Sequence, residues 1–184
     1  RCADVTGVQT CALPISIPTI TTDRLTLRAP RPEDVPAFAA FYASDAAQFV
    51  GGPMTEAETW RYLCQVIGHW SMRGYGRWIV TLRDDNAPIG LVGLHNPLDW
   101  PEPEVGWYIW SGTGQGYAVE AGKAARAHAY DTLGWTTVVS MIATGNDASI
   151  GVAKSMGAQR EDDYQHPVYG AMGVYRHPGP GGVA

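Results

Sequence analysis

The chain has little of what marks several protein classes. Its 13 Lys and Arg against 18 Asp and Glu give a formal net charge of −5. That lack of cations excludes nucleic acid as the main partner, because phosphate binding is built from clustered positive charge. No apolar run approaches the roughly 20 residues that a bilayer requires, so no membrane association is expected. Cysteine is scarce, with three in 184 residues. Two of these, Cys2 and Cys11, lie in an N-terminal stretch of separate character, and Cys64 alone cannot form an internal disulfide. A reducing, cytoplasmic setting is expected. No internal repeat is evident. No Gly-Lys pair followed by Ser or Thr occurs, as a P-loop requires, and no glycines take the dinucleotide-fingerprint spacing. What remains, 45% hydrophobic and 17% charged, suits one soluble globular domain.

The segment Val5 to Ser16 resembles the translation of a common short-read sequencing adapter and lacks the apolar core of a signal peptide. Residues 1–16 are therefore read as a non-native leader. Residues 17–178 form the expected single domain, and residues 179–184 a flexible Gly- and Pro-rich tail.

Within the domain, Thr22 to Arg28 alternates apolar and polar residues and predicts a first strand. Glu33 to Tyr42 reads as a short helix. Thr55 and Glu58 form a capping-box pattern that opens a helix running to about Met72. The apolar stripe Trp60, Leu63, Ile67 and Trp70 is expected to face the core, with Cys64 buried beside Trp60. Strands follow at Arg77–Leu82, Pro88–Leu94 and Glu104–Trp110. A long helix is predicted from Tyr117 to Leu133, a strand from Thr136 to Ala143, and a short helix from Asp147 to Met156 capped by Gly157. Tyr164 to Arg176 supplies one or two more strands.

The informative stretch runs from Trp107 to Ala121. A strand enters Ser111-Gly112-Thr113-Gly114-Gln115-Gly116, which leads directly into the long helix. Glycines permit close approach and positive φ, and the helix start offers free N–H groups to a pyrophosphate. An ordinary strand-to-helix turn has the same outline. The sequence Gly114-Gln115-Gly116-Tyr117-Ala118-x-Glu120-Ala121 resembles the acetyl-CoA loop of the GNAT family, in the branch of ribosomal-protein N-terminal acetyltransferases. Thr22-Asp23-Arg24-Leu25-x-Leu27-Arg28, Ile89-Gly90-x-Val92-Gly93-Leu94 and Asn146-x-x-Ser149 with Lys154-Ser155-Met156-Gly157-Ala158 resemble further stretches of that branch, in order. The resemblance covers residues 22 to 177. It departs at Ser111, where the family often has Arg or Gln, at a short Trp110–Gly114 connection, and at Ala153, where many members have Tyr.

The resemblance implies an α+β fold with a mixed, mostly antiparallel sheet of six to seven strands and about four helices. It also implies acetyl-CoA as co-substrate, no metal, and an amine acceptor that is a small molecule or a protein N-terminus; a homodimer stays open. Gly114, Gln115, Gly116, Tyr117 and Ala118 would bind the cofactor phosphates, with Tyr108, Ile109, Asn146 and Ser149 along its arm. Acetyl transfer needs a base, an oxyanion donor and an acid for the thiolate. Glu104 is the first candidate base, with a solvated strand-end carboxylate as the plain alternative. His95, Asp99 and Asp162 come after it. A backbone N–H near Tyr108 would serve the oxyanion, and Ser149 the thiolate or the cofactor. Ser149 could equally be a helix first-turn residue beside a capping Asn146. Glu120 and Lys123, three apart on the long helix, read as a solvated pair. The competing functions are an acyl-CoA-binding module without catalysis and a nucleotide-binding protein.

Overall fold

The computed structural model describes residues 16–182, so most of the expected leader and the last two residues of the tail lie outside the described residues. The strands are β1 (Ile20–Thr21), β2 (Leu25–Arg28), β3 (Arg77–Leu82), β4 (Pro88–His95), β5 (Glu104–Ile109), β6 (Val139–Ala143), β7 (Gln159–His166) and β8 (Gly170–Arg176). The helices are α1 (Val35–Tyr42), α2 (Glu56–Arg73), α3 (Tyr117–Asp131) and α4 (Asp147–Ser155). Single 3-10 turns precede and follow α1.

One sheet runs β1-β2-β3-β4-β5-β6-β8-β7. All neighbours are antiparallel except β5 and β6, which are parallel and register only at Glu104 and Val139. The α+β expectation holds, with eight strands instead of six or seven. The additional strand comes from the N-terminus. The Thr22–Arg28 segment is not one strand, because Thr22 folds back on Leu25. Its N–H donates to the Leu25 carbonyl at 3.0 Å, and its Oγ1 accepts from the Leu25 N–H at 3.1 Å. The side chain thus closes a turn, and Ile20 pairs with Leu27. At the other end of β2, Arg28 makes a two-pronged buried pair with Asp34 at 2.9 and 2.7 Å. That pair ties the strand to the entrance of α1.

Helix α2 starts as its capping box dictates, with Thr55 and Glu58 bonding reciprocally. Its buried stripe is Thr59, Leu63, Val66 and Trp70, one position away from the predicted one at two of four places. Thr59 tolerates burial because its hydroxyl donates to the Thr55 carbonyl at 2.9 Å. Trp60 is turned outward, 49% exposed, and Cys64 on the next turn is exposed. Both expectations of burial are therefore corrected.

The sheet separates two apolar layers. On one face α3 presents Ala121, Ala125 and Ala129, all fully buried, to Leu27, Trp78, Val92 and Trp107. Small side chains let the helix axis lie close, so a Cβ at Gly122 would come within 2.8 Å of the Met156 sulfur. On the other face α1 and α2 pack Phe38, Phe41, Tyr42 and Leu63 against Ile79 and Leu91. Among the described residues no helix is long and apolar enough to cross a membrane.

Candidate active site

Beyond the Glu104–Val139 bridge, β5 and β6 diverge. Two side-chain bonds tie the strands near the fork: Ser140 Oγ donates to the Val105 carbonyl at 2.6 Å, and Glu104 Oε2 accepts from the Met141 N–H at 3.3 Å. A cavity of about 270 Å³ fills the opening. It is lined by Glu104, Tyr108, Asn146 and Ser149, by His95 and Asp99, and by an aromatic group including Tyr62, Trp100 and Tyr169. Asp162 is exposed on β7 and does not line it.

The open edge of β5 can be assigned from its bonds. Backbone groups on a strand alternate in direction. The Trp110 N–H donates toward β4 at Ile89, whereas the carbonyls of Pro103 and Val105 accept from Val139 and Ser140 on the β6 side. Odd-numbered residues thus face the fork, and Trp107 and Ile109 are the N–H donors aimed at it. The N–H of Tyr108 itself faces β4, and those of its two neighbours face the fork. The Tyr108 side chain projects instead onto the face of Glu104, where its ring lies under the Arg77 guanidinium at 5.0 Å and its hydroxyl is 3.5 Å from that of Tyr62.

Glu104 is not a solvated strand-end carboxylate: it is 4% exposed. Arg77 Nη2 donates to its Oε1 at 3.0 Å, and Arg77 Nη1 donates to the Tyr62 hydroxyl at 2.6 Å. Burial pushes the Glu104 carboxyl above its ordinary range, opposed by Arg77, by the Trp100 indole and by the Met141 N–H. The Trp100 Nε1 lies near the carboxylate without completing a hydrogen bond. His95 is shifted the other way. Burial first, then Arg77 and His69, drive its pKa far down, so it stays neutral and is a feeble proton acceptor. Burial also raises the Tyr108 phenol well above its usual value, which keeps it protonated. Sequence reasoning missed Arg77 and Tyr62, which sit in elements that read as ordinary strand and helix.

The glycine loop lies at the far end of β5. Gly112, Gly114 and Gly116 all have φ between 70° and 81°, a region that side chains disfavour. Gly112 is doubly required, since a Cβ there would meet the Tyr117 ring at 2.7 Å. Gly116 caps α3 with no side-chain bond to the helix start. The first bond of the helix runs from the Glu120 N–H to the Gly116 carbonyl, so the N–H groups of Tyr117, Ala118 and Val119 precede the ladder. Gln115, also expected to donate, has its N–H on the Gly112 carbonyl at 3.3 Å. A cradle of free donors at the positive end of a helix fits a pyrophosphate.

Arg24 braces this loop from the β1–β2 turn. Its Nη1 donates to the Gln115 carbonyl at 2.9 Å, its Nε to Glu120 Oε2 at 2.6 Å, and its backbone N–H to Glu120 Oε1 at 3.0 Å. The guanidinium also lies over the Tyr117 ring at 4.9 Å. Thr22 Oγ1 donates to the same carboxylate at 2.6 Å. The solvated Glu120–Lys123 pair is therefore corrected: Glu120 is the anchor of the brace. On α4, Asn146 Oδ1 accepts from the Ser149 N–H at 3.2 Å. Asn146 is thus a helix cap, and both residues line the cavity.

A forked sheet with a glycine loop at the head of the central helix defines an acetyltransferase architecture. The family model for the acetyltransferase (GNAT) domain matches residues 24–159, well over half the chain, and the chain belongs to that family. An acetyltransferase from Agrobacterium tumefaciens is 36% identical, with a TM-score of 0.81 over 88% of this chain and 95% of that one. The fold is also similar to RimL, a ribosomal L7/L12 alpha-N-protein acetyltransferase solved with coenzyme A, at 20% identity and a TM-score of 0.72 over 88% and 98% of the two chains. A ribosomal-protein-S5-alanine acetyltransferase from Vibrio fischeri shares the fold at 14% identity and a TM-score of 0.71, over 91% and 100%.

Proposed function

We propose that this protein transfers an acetyl group from acetyl-CoA to a primary amine by direct attack. The observation that carries the reading is the fork between β5 and β6, which holds Glu104 and the cavity at its base and leads to the donor loop at its tip. The N–H groups of Tyr117, Ala118 and Val119 would hold the pyrophosphate, and Asn146 and Ser149 the arm. Acetyl-CoA supplies the activated acyl group.

Glu104 would take the ammonium proton, since its upward shift moves it toward the working range of a general base. Arg77 fixes the carboxylate and keeps one oxygen occupied. The N–H groups of Trp107 and Ile109 would receive the developing oxyanion, and preorganised donors at such a place are among the larger catalytic contributions. Ser149, which lines the cavity, would supply a proton to the departing thiolate.

The test is thiol release from acetyl-CoA across a panel of primary amines, beside thermal stabilisation by acetyl-CoA alone. Turnover with at least one amine is expected. The second reading, a GNAT module that binds acyl-CoA without catalysis, draws on the buried pairing of Glu104 with Arg77. Stabilisation by acetyl-CoA without turnover of any amine would decide for it.

A further inference from the structure

The acceptor half of the cavity has a composition of its own. Three separate segments converge on it: the stretch before α2 with Phe49 and Met54, the β4–β5 connection with Trp100, and the β7–β8 turn with Tyr169. They are packed on one another. The Trp100 and Tyr169 rings lie 5.8 Å apart, and a Cβ at Gly51 would touch the Tyr169 ring at 3.8 Å. His166, fully buried, fixes the turn beneath them. Its Nδ1 accepts from the N–H groups of Val168 and Tyr169 at 3.0 and 3.1 Å, and its ring lies 4.8 Å from both Trp100 and Tyr169. Tyr62 and Met172 line the same space, so aromatic rings stand beside the polar groups of Arg77 and Glu104. Leu98, 97% exposed, and Val168, 76% exposed, are the chain neighbours of the lining residues Asp99 and Tyr169.

The charges are few. Glu104 is matched by Arg77. His95 and His69 are shifted down by burial and stay neutral. Asp99 is left at the rim, its side chain 55% exposed and 3.6 Å from His166 Nε2. One carboxylate at the rim, with only the His166 Nε2–H near it among the described residues, stands over aromatic rings and suits one ammonium, which aromatic faces also attract. A polyamine or aminoglycoside would bring several cations to a wall with one anion. A free amino acid would set its carboxylate beside Asp99 and Glu104, against a guanidinium already paired. Size points the same way. About 270 Å³ must also admit the acyl end of the cofactor beside Asn146 and Ser149. A cavity of roughly 150 Å³ suffices for a benzene ring, so the remaining space matches one ring on a short arm.

We infer that the acceptor is a compact monoamine with an aromatic body, an arylalkylamine. The inference rests on the acetyl-transfer reading above. The experiment measures kcat/KM by thiol release for 2-phenylethylamine, phenylalanine, spermidine, an aminoglycoside and a short peptide with a free N-terminus. 2-Phenylethylamine should exceed each of the others at least tenfold. Any of the other four matching or exceeding it overturns this inference and leaves acetyl transfer standing. No turnover of any of the five, with acetyl-CoA still raising the melting temperature, overturns both. Tyr169→Ser, at a half-exposed turn position, should raise KM for 2-phenylethylamine about tenfold and leave KM for acetyl-CoA unchanged. Asp99→Asn should do the same and also weaken the preference over phenylalanine. Unchanged KM for the amine in both variants would overturn the assignment.

Discussion

Replacing Arg24 by alanine separates loop support from general stability. The side chain makes an ion pair with Glu120, half-exposed on the arginine side, a bond to the Gln115 carbonyl and a stacking contact on Tyr117. An ion pair this exposed contributes at most about 1 kcal/mol. The carbonyl bond adds about 1 kcal/mol, and the aromatic contact at an open site about 0.5 kcal/mol. Since neighbouring losses do not simply add, a destabilisation of about 2 kcal/mol is expected. For a chain of this size that lowers the melting temperature by about 4–8 °C. The larger effect should appear in cofactor affinity. Without the brace, the Gly114–Tyr117 backbone must be ordered by the ligand itself. A cost of about 1.4 kcal/mol corresponds to a tenfold rise in KM for acetyl-CoA. The transferring groups around Glu104 are untouched, so kcat should hold, the pattern of lost uniform binding. Arg24→Lys should recover only part, because a lysine cannot span Glu120 and Gln115 with a planar fork. Thiol release at saturating amine with varied acetyl-CoA, run beside thermal melts, gives both quantities. A melting temperature that falls while KM stays put would refute the reasoning and leave Arg24 a purely structural residue.

Gly116→Val places a β-branched side chain at φ 80°, costing about 1–3 kcal/mol, and should abolish stabilisation by acetyl-CoA; a folded variant with an undiminished shift would count against the loop. Glu104→Gln should lower turnover by about 10²–10⁴-fold, with partial recovery at high pH as the amine arrives deprotonated; near-normal turnover would move the search to Asp99 or a water-borne base. His177 tests acid sensitivity. It is buried, its Nε2 bonds Ser140 Oγ at 2.9 Å and its Nδ1 faces Arg126 at 3.3 Å. Burial first, then Arg126, push its pKa down to about 3. Between pH 6.5 and about 3 the unfolded chain binds the extra proton, so stability is full above 6.5 and falls as pH drops through that window. The stability gap between the wild type and His177→Gln should narrow on acidification, and a constant gap in denaturant melts would rule out this source.

The parts legible in the sequence were those whose chemistry is local. Glycines at 112, 114 and 116 announce positive φ and an open helix start, and Thr55 with Glu58 marks the beginning of α2 within one residue. What escaped depends on partners distant in the chain. Glu104 reads as an exposed carboxylate until Arg77, 27 residues earlier, is brought over it. Arg24 reads as a polar position on a strand, because its partners Gln115 and Glu120 lie more than 90 residues away. The α2 stripe was misplaced because Thr59 satisfies its own hydroxyl, while the larger Trp60 lies at the edge of the covered face. The resemblance at Thr22–Arg28 therefore located a brace for the loop, although the periodicity there suggested an uninterrupted strand.

The slender join between β5 and β6 also bears on the order in which the chain folds. From β2 to β5 each strand pairs with the next strand in the chain, although α1 and α2 lie between β2 and β3. The hairpins β3–β4–β5 and β7–β8 close over short separations, whereas β6 can join β5 only after α3 has been laid across the sheet. Loop closure makes such late, single-bridge contacts slow to form. Two nuclei should arise, one on each side of the fork, and pulse-labelled amide exchange should find β3 and β4 protected before β6. The active cleft would be the last surface to mature, assembled from two halves that each acquire shape without it.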